Sequence, residues 1–186
     1  MSDASENQIY GVAIKMLKSH GDQRGFFREI VRVTDPFFVQ SKFGQWSHSL
    51  MQKDVVKAWH YHHQQTDWWY LPIGQIETVL FDNRPESPTY KTKMVLRMGE
   101  SAKYGADTLE ACVMIPPGVL HGCKVLSEEA HLFYITSMTY DANEEGRFPY
   151  NSELVGHNWG EPAIVVDNDK RTFVPTSVRD LLKFSS

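Results

Sequence analysis

At 186 residues, 41% of them hydrophobic and 23% charged, the chain suits one soluble globular domain with a substantial core. A net charge of −4 and a pI near 6.0 exclude a nucleic-acid binder that relies on a broadly basic surface. No stretch approaches the roughly 18 apolar residues of a membrane helix, so neither nucleic acid nor membrane is an expected partner.

In chain order, residues 1–8 are polar and lack an apolar signal core, which predicts a flexible tail on a single domain covering 1–186. Residues 26–33 are rich in β-formers. Residues 55–61 form a second strand that leads into a histidine cluster, and strands 67–71 and 75–81 flank a Pro72-Ile73-Gly74 turn. Arg84-Pro85-Glu86-Ser87-Pro88 is a loop, followed by strands at 91–98, 109–115 and 130–140. Residues 177–184 read as a short C-terminal helix with Ser177 as its N-cap. There is no repeat, low-complexity segment or interdomain linker. Many short strands with one short helix predict an all-β sandwich or small barrel. Cys112 and Cys123, in a chain without a secretory signal, read as reduced thiols of a cytoplasmic protein.

The chemistry concentrates at His60-Tyr61-His62-His63 and at Pro116-Pro117-Gly118-Val119-Leu120-His121. On an extended strand His60 and His62 point to one face, and Tyr61 and His63 to the other. The Pro-Pro-Gly run is a tight turn that delivers a second strand, with His121, to the same place. Such a set of imidazoles can either move protons or hold a metal.

The spacing His60-x-His62, then Asp67 and Gly74, followed by Pro116-x-Gly118-x-x-His121, resembles the two motifs of the cupin barrels. Asp67 stands at that family's usual Glu, and Val125 at its trailing Asn. The resemblance implies a cupin jelly-roll barrel. In metal-binding cupins these positions, His60, His62, Asp67 and His121, would hold a divalent transition metal.

A longer resemblance runs from about Ile9 to Asp169. Asp22-x-Arg24-Gly25-Phe26-Phe27-x-Glu29 is similar to the opening signature of the dTDP-4-dehydrorhamnose 3,5-epimerase family, a cupin branch. Gln45 and Ser49, fifteen and eleven residues before His60, resemble the segment leading to that family's catalytic His. Asp82-x-Arg84-x-x-Ser87-Pro88-Thr89-Tyr90, the run from Ile115 through Ser127, and Tyr134 paired with Tyr140 match further family stretches, as does Ile164 to Asp169.

The resemblance implies an isomerase that epimerises C3 and/or C5 of a nucleotide-linked 4-keto-6-deoxy sugar. His60 would be the base and Asp169 its orienting partner, with Tyr134 or Tyr140 as the acid on the opposite face. Arg24, Phe27 and Glu29 would contact the nucleotide across a homodimer interface. Gln45, Ser47, Lys57 and His121 would bind substrate, and no cofactor would be needed. The departures from the family lie at Lys57 for Arg, Ser47 for Asn, His62 for Gln and Asp67 for Lys. The last two restore the metal set, so a metal-dependent cupin is an alternative. A non-catalytic sugar-binding barrel is a second alternative.

Overall fold

Alternation along the strands decides which residues face inward. In β6 (Asp67–Ile73), Asp67, Trp69 and Leu71 face the interior, while Trp68, Tyr70 and Pro72 face outward. The structure, a computed structural model, describes residues 8–38 and 42–174. Two sheets enclose the interior. The first runs β1 (Ala13–Met16), β10 (Ala111–Ile115), β6, β12 (Glu129–Thr136), β4 (Gln45–Gln52). The second runs β13 (Glu145–Arg147), β5 (Val56–His62), β11 (Val119–Val125), β7 (Gln75–Asp82), β8 (Lys93–Gly99), β9 (Thr108–Leu109). A hairpin of β2 (Ser19–Asp22) and β3 (Gly25–Arg28) stands apart as its own two-stranded ribbon. This is the all-β cupin jelly roll that the motif spacing implies. Its core is fully buried Ile76, Leu80, Val113, Val119 and Val125 between the sheets.

The Pro-Pro-Gly turn does what its composition predicts. Gly118 adopts φ +78°, and a Cβ there would lie 2.5 Å from the Arg84 side chain. Its N–H donates to the His62 carbonyl at 2.8 Å, which ties the turn to the end of β5. β11 then runs antiparallel to β5 with His121 and His60 as Cα partners.

The Asp82–Tyr90 stretch is structural. The fully buried Asp82 carboxylate accepts from Arg84 Nε at 2.7 Å, Ser87 Oγ at 2.5 Å and Thr89 Oγ1 at 2.6 Å. Burial pushes its pKa up, but the hydrogen bonds from Arg84, Ser87 and Thr89 outweigh burial and hold it far below the usual carboxylate range. Arg84 also donates to the Tyr10 carbonyl, so the loop fastens the N-terminal segment as well.

Three strand expectations need correction. Of the expected strand 26–33 only residues 26–28 pair, within β3, because Ile30 and Val31 instead cover Trp68 and Phe38 on the outside of the first sheet. The strand expected at 130–140 ends at Thr136, whose hydroxyl turns back to the Met138 carbonyl at 2.6 Å. The strand expected at 109–115 breaks at Glu110, whose carboxylate accepts from Arg28 and from Ser101. β4 has no counterpart among the expected strands, since its inward residues Gln45, Ser47 and Ser49 are polar. The expected helix at 177–184 lies outside the described residues, as does all of the 1–8 tail except Gln8. Among the described residues no helix is long and apolar enough to cross a membrane.

Candidate active site

Between the two sheets lies a cavity of about 260 Å³ whose lining includes Lys57, His60, His62, Asp67, His121, Tyr134, Tyr140, Glu145 and Arg147. β5 and β11 supply the imidazoles from one wall, and β12 supplies Tyr134 from the facing sheet. Tyr140 stands beyond the end of β12, 68% exposed, with its backbone N–H donating to Gln45 Oε1 at 3.1 Å.

His60 is the anchored imidazole. Its Nε2 lies 3.1 Å from Asp169 Oδ1, and because a carboxylate only accepts, Nε2 carries the hydrogen. Asp169 sits in a 3-10 turn (Asp167–Lys170) and is only 3% exposed, although an Asp-Asn-Asp run would ordinarily face solvent. Two residues absent from the sequence reading complete this corner. Arg147 donates from Nη1 to Asp169 Oδ1 at 2.9 Å and pairs through Nη2 with Glu145 Oε1 at 2.5 Å. Glu145 Oε1 in turn lies 3.9 Å from His60 Nδ1. The signal available in the sequence was a Glu and an Arg two apart, which a strand places on one face. The intervening Gly146 is required by close approach, since a Cβ there would sit 2.1 Å from the Tyr61 ring.

His121 is in a different state. Burial first, then the charges His62 and His60 can carry, push its pKa well below the ordinary value, so its ring is neutral. Its Nδ1 donates to the Val119 carbonyl at 3.2 Å, which leaves Nε2 with a free lone pair. His62 stacks on it with ring centroids 5.5 Å apart, and Trp69 packs edge-on at 5.3 Å. Burial raises the pKa of Asp67 despite the opposing influence of His62, Gln65 and Trp69. The Gln65 amide bridges this group, donating to Asp67 Oδ1 at 2.8 Å and to His62 Nε2 at 3.2 Å.

The four-residue metal set needs revision. Ligand atoms of His62, Asp67 and His121 all lie within 4.8 Å of one another, but His60 is outside the group. Its Nε2 is committed to Asp169. The three that converge, two imidazoles and a carboxylate, fit a divalent transition metal.

The other expected residues divide. Gln45 lines the cavity and donates to Ser47 Oγ at 2.8 Å, and Ser47 is the β4 partner of Tyr134. Lys57 lines it too, with its ammonium on Ser49 Oγ at 2.7 Å. Burial raises the Tyr134 pKa, with a Ser47 hydrogen bond opposing, so the phenol stays protonated. Arg24, Phe27 and Glu29 are not in this cavity. They lie on or just after the exposed β2–β3 ribbon, Arg24 paired with Asp22 and Glu29 with Arg32. Cys123 also lines the cavity, but burial pushes its thiol up to about 12, so it is no nucleophile.

Comparison with known proteins places the chain in a family. The family described as dTDP-4-dehydrorhamnose 3,5-epimerase matches residues 6–175. The spore coat polysaccharide biosynthesis protein SpsL of Bacillus subtilis is 40% identical over 154 residues, which cover 81% of this chain and 96% of that protein. A probable low-salt glycan biosynthesis epimerase of Haloferax volcanii is 28% identical, covering 81% of this chain and 94% of its own. Among solved structures, the dTDP-6-deoxy-D-glucose-3,5-epimerase of Legionella pneumophila, in complex with dTDP-4-keto-L-rhamnose, superposes with a TM-score of 0.76. It is 26% identical and covers 94% of this chain and 93% of its own.

Proposed function

The chain belongs to the dTDP-4-dehydrorhamnose 3,5-epimerase family and is a carbohydrate epimerase. On that premise we propose that it inverts C3 and/or C5 of a nucleotide-linked 4-keto-6-deoxy sugar, through proton removal by His60 and proton return by a tyrosine. The observation that carries this reading is His60 fixed by Asp169 on one wall of a cavity whose facing wall carries Tyr134. The ketone acidifies the neighbouring C–H bonds because the carbanion delocalises onto its oxygen. His60 Nδ1 takes the proton, and Asp169 stabilises the ring that becomes charged. Tyr134, a protonated phenol on the facing wall, would donate from the opposite face. These side chains suffice for the proton transfers, so the reading requires no cofactor.

The substrate's diphosphate needs cations, and among the described residues lining the cavity Lys57 is the cation that pairs with a hydroxyl rather than a carboxylate. A homodimer would supply more. Phe26 and Phe27 on the ribbon are 63% and 64% exposed, and an apolar groove with Phe43 and Trp46 runs along the outside of the first sheet. We place Arg24, Phe27 and Glu29 at the nucleotide of a partner subunit. The cell compartment consistent with buried free Cys112 and Cys123 is the cytoplasm. The product would be a deoxysugar for a cell-surface polysaccharide or a glycosylated metabolite. Solvent deuterium incorporation into a 4-keto nucleotide sugar, lost in His60→Asn, tests the reading directly.

One observation favours a second reading, the convergence of His62, Asp67 and His121. A divalent metal held there would act as a Lewis acid on the ketone oxygen. Metal analysis of the purified protein separates the two readings.

A further inference from the structure

We propose that Arg147 is a positioning residue of the base, fixing which nitrogen of His60 carries the proton. This rests on the reading of His60 as the base. Two carboxylates flank the imidazole, one near each nitrogen. Asp169 Oδ1 is 3.1 Å from Nε2, a hydrogen bond, whereas Glu145 Oε1 is 3.9 Å from Nδ1, beyond one. That difference decides the tautomer. With the hydrogen on Nε2, Nδ1 keeps its lone pair on the side of Glu145, which lines the cavity. The reverse tautomer would turn the lone pair toward Asp169, where no substrate proton can be taken.

One guanidinium holds the asymmetry in place. Arg147 uses two different nitrogens on two carboxylates, drawing Glu145 to Nη2 and pinning Asp169 at Nη1. The Asp169 oxygen it grips is the same one that His60 uses. A planar fork does this and a point charge cannot do both at once. The backbone reinforces the side chain. Arg147 is the Cα partner of His60 across the β5–β13 ladder, so their side chains share a face. Its N–H donates to the Phe173 carbonyl at 2.8 Å and its carbonyl accepts from Phe173 N–H at 2.9 Å. A single residue therefore fastens the strand bearing the base, the acidic side chain beside it, and the chain segment just after Asp169. A buried carboxylate at the Asp169 position also needs such a cation, because an uncompensated charge there is costly.

The rival role for a cavity arginine is a clamp on the substrate diphosphate. The kinetic constants tell them apart. Arg147→Met and Arg147→Lys are assayed with a 4-keto nucleotide sugar, and the His ring nitrogens are read by long-range ¹H–¹⁵N NMR, with His60→Asn assigning the His60 signals. For Arg147→Met we expect kcat to fall roughly 10–100-fold, less than the loss of a general base itself, with KM within about twofold. Arg147→Lys should fall between it and the wild type. The His60 ring should be a single Nε2–H tautomer in the wild type and a mixture in Arg147→Met. A wild-type kcat, an unchanged tautomer, or a rise in KM with kcat intact would overturn the proposal. If Arg147→Met fails to fold, Arg147→Lys carries the same expectations of lower kcat at constant KM. If His60→Asn retains deuterium exchange, the base reading itself fails. Loss of exchange in His60→Asn beside a normal Arg147→Met fails only the role of Arg147.

Discussion

His60 and His121 face each other as Cα partners of β5 and β11, with ring centroids 6.3 Å apart, yet only His60 reaches a carboxylate. His121 bonds to a backbone carbonyl in a fully buried setting that keeps it neutral. Two imidazoles on neighbouring strands thus receive different tasks from their partners. One has a carboxylate at its Nε2, and the other is an uncharged pocket wall.

Replacing His60 with Asn should leave the fold intact, since the site is polar, and lower kcat by about 10²–10⁴. Asp169→Asn should lower it too, because an amide can present its N–H to Nε2 and stabilise the wrong tautomer. Steady-state rates with circular dichroism as the folding control check both. Wild-type rates of deuterium exchange in His60→Asn would remove His60 as the base.

Tyr134→Phe and Tyr140→Phe should not behave alike. We expect Tyr134 to be the acid, because it stands on the cavity wall facing His60, whereas Tyr140 lies beyond the end of β12 and is largely exposed. Tyr134→Phe should block inversion while exchange of the C3 or C5 proton continues, since His60 still removes and returns a proton on one face. Proton NMR in deuterium oxide reads both quantities in one tube. Inversion at the wild-type rate in Tyr134→Phe would transfer the role to Tyr140.

If the side chains alone carry the reaction, protein purified without added metal should contain well under one equivalent of iron, nickel, manganese or zinc, and chelators should leave kcat unchanged. The Gln65 amide gives His62 and Asp67 hydrogen-bond partners in the absence of an ion. Near-stoichiometric metal that disappears in His62→Ala or Asp67→Ala would instead establish the three-residue metal site.

Asp82 should dominate acid stability. Folding lowers its pKa from an ordinary 3.8, so its stabilising contribution is fully present above that value and is lost as the pH falls below it. Asp82→Asn leaves Arg84 half-paired beside a buried site and should cost about 3–5 kcal/mol near neutral pH. Urea midpoints for wild type and variant should differ by a constant amount above about pH 4 and draw together only as the pH falls below 3.8 toward the far lower folded-state pKa. A gap independent of pH would mean that packing of the loop, rather than charge, sets its stability.

Light scattering at micromolar concentration should report a dimer, with an interface of about 2,000 Å² or more. Trp46→Glu, on the exposed outer face of β4, should shift it toward monomer and raise KM. A monomeric wild type would withdraw Arg24, Phe27 and Glu29 from the site.

Much of the barrel was legible because its turns are written in Pro and Gly and its strands in β-branched and aromatic residues. That His60 and His121 meet in one pocket followed from strand alternation at residues 60–63 and from the Pro116-Pro117-Gly118 turn. What stayed hidden depended on partners distant in the chain. Asp169 was legible only through the family resemblance, since nothing near it in the chain announces that its turn folds under β5. Glu145 and Arg147 look like surface charge until β13 pairs with His60. Ile30 and Val31 carry a strand's composition, but Trp68 and Phe38 offered them a better use as a cover. Asp67 was legible as a ligand type, yet only the fold shows that His60 is committed elsewhere.

β13 is three residues long and would be an open margin of the second sheet, but Phe173 occupies its outer hydrogen bonds. That seal has a bearing on manufacture and on truncation. A chain cut after Lys170 would keep Asp169 yet expose an unpaired ribbon edge at Arg147, the kind of edge through which β-proteins recruit one another into aggregates. Shortened versions made for crystallisation or fusion should therefore retain residues through at least Phe173, and clipping there should show first as lost solubility and only then as lost turnover.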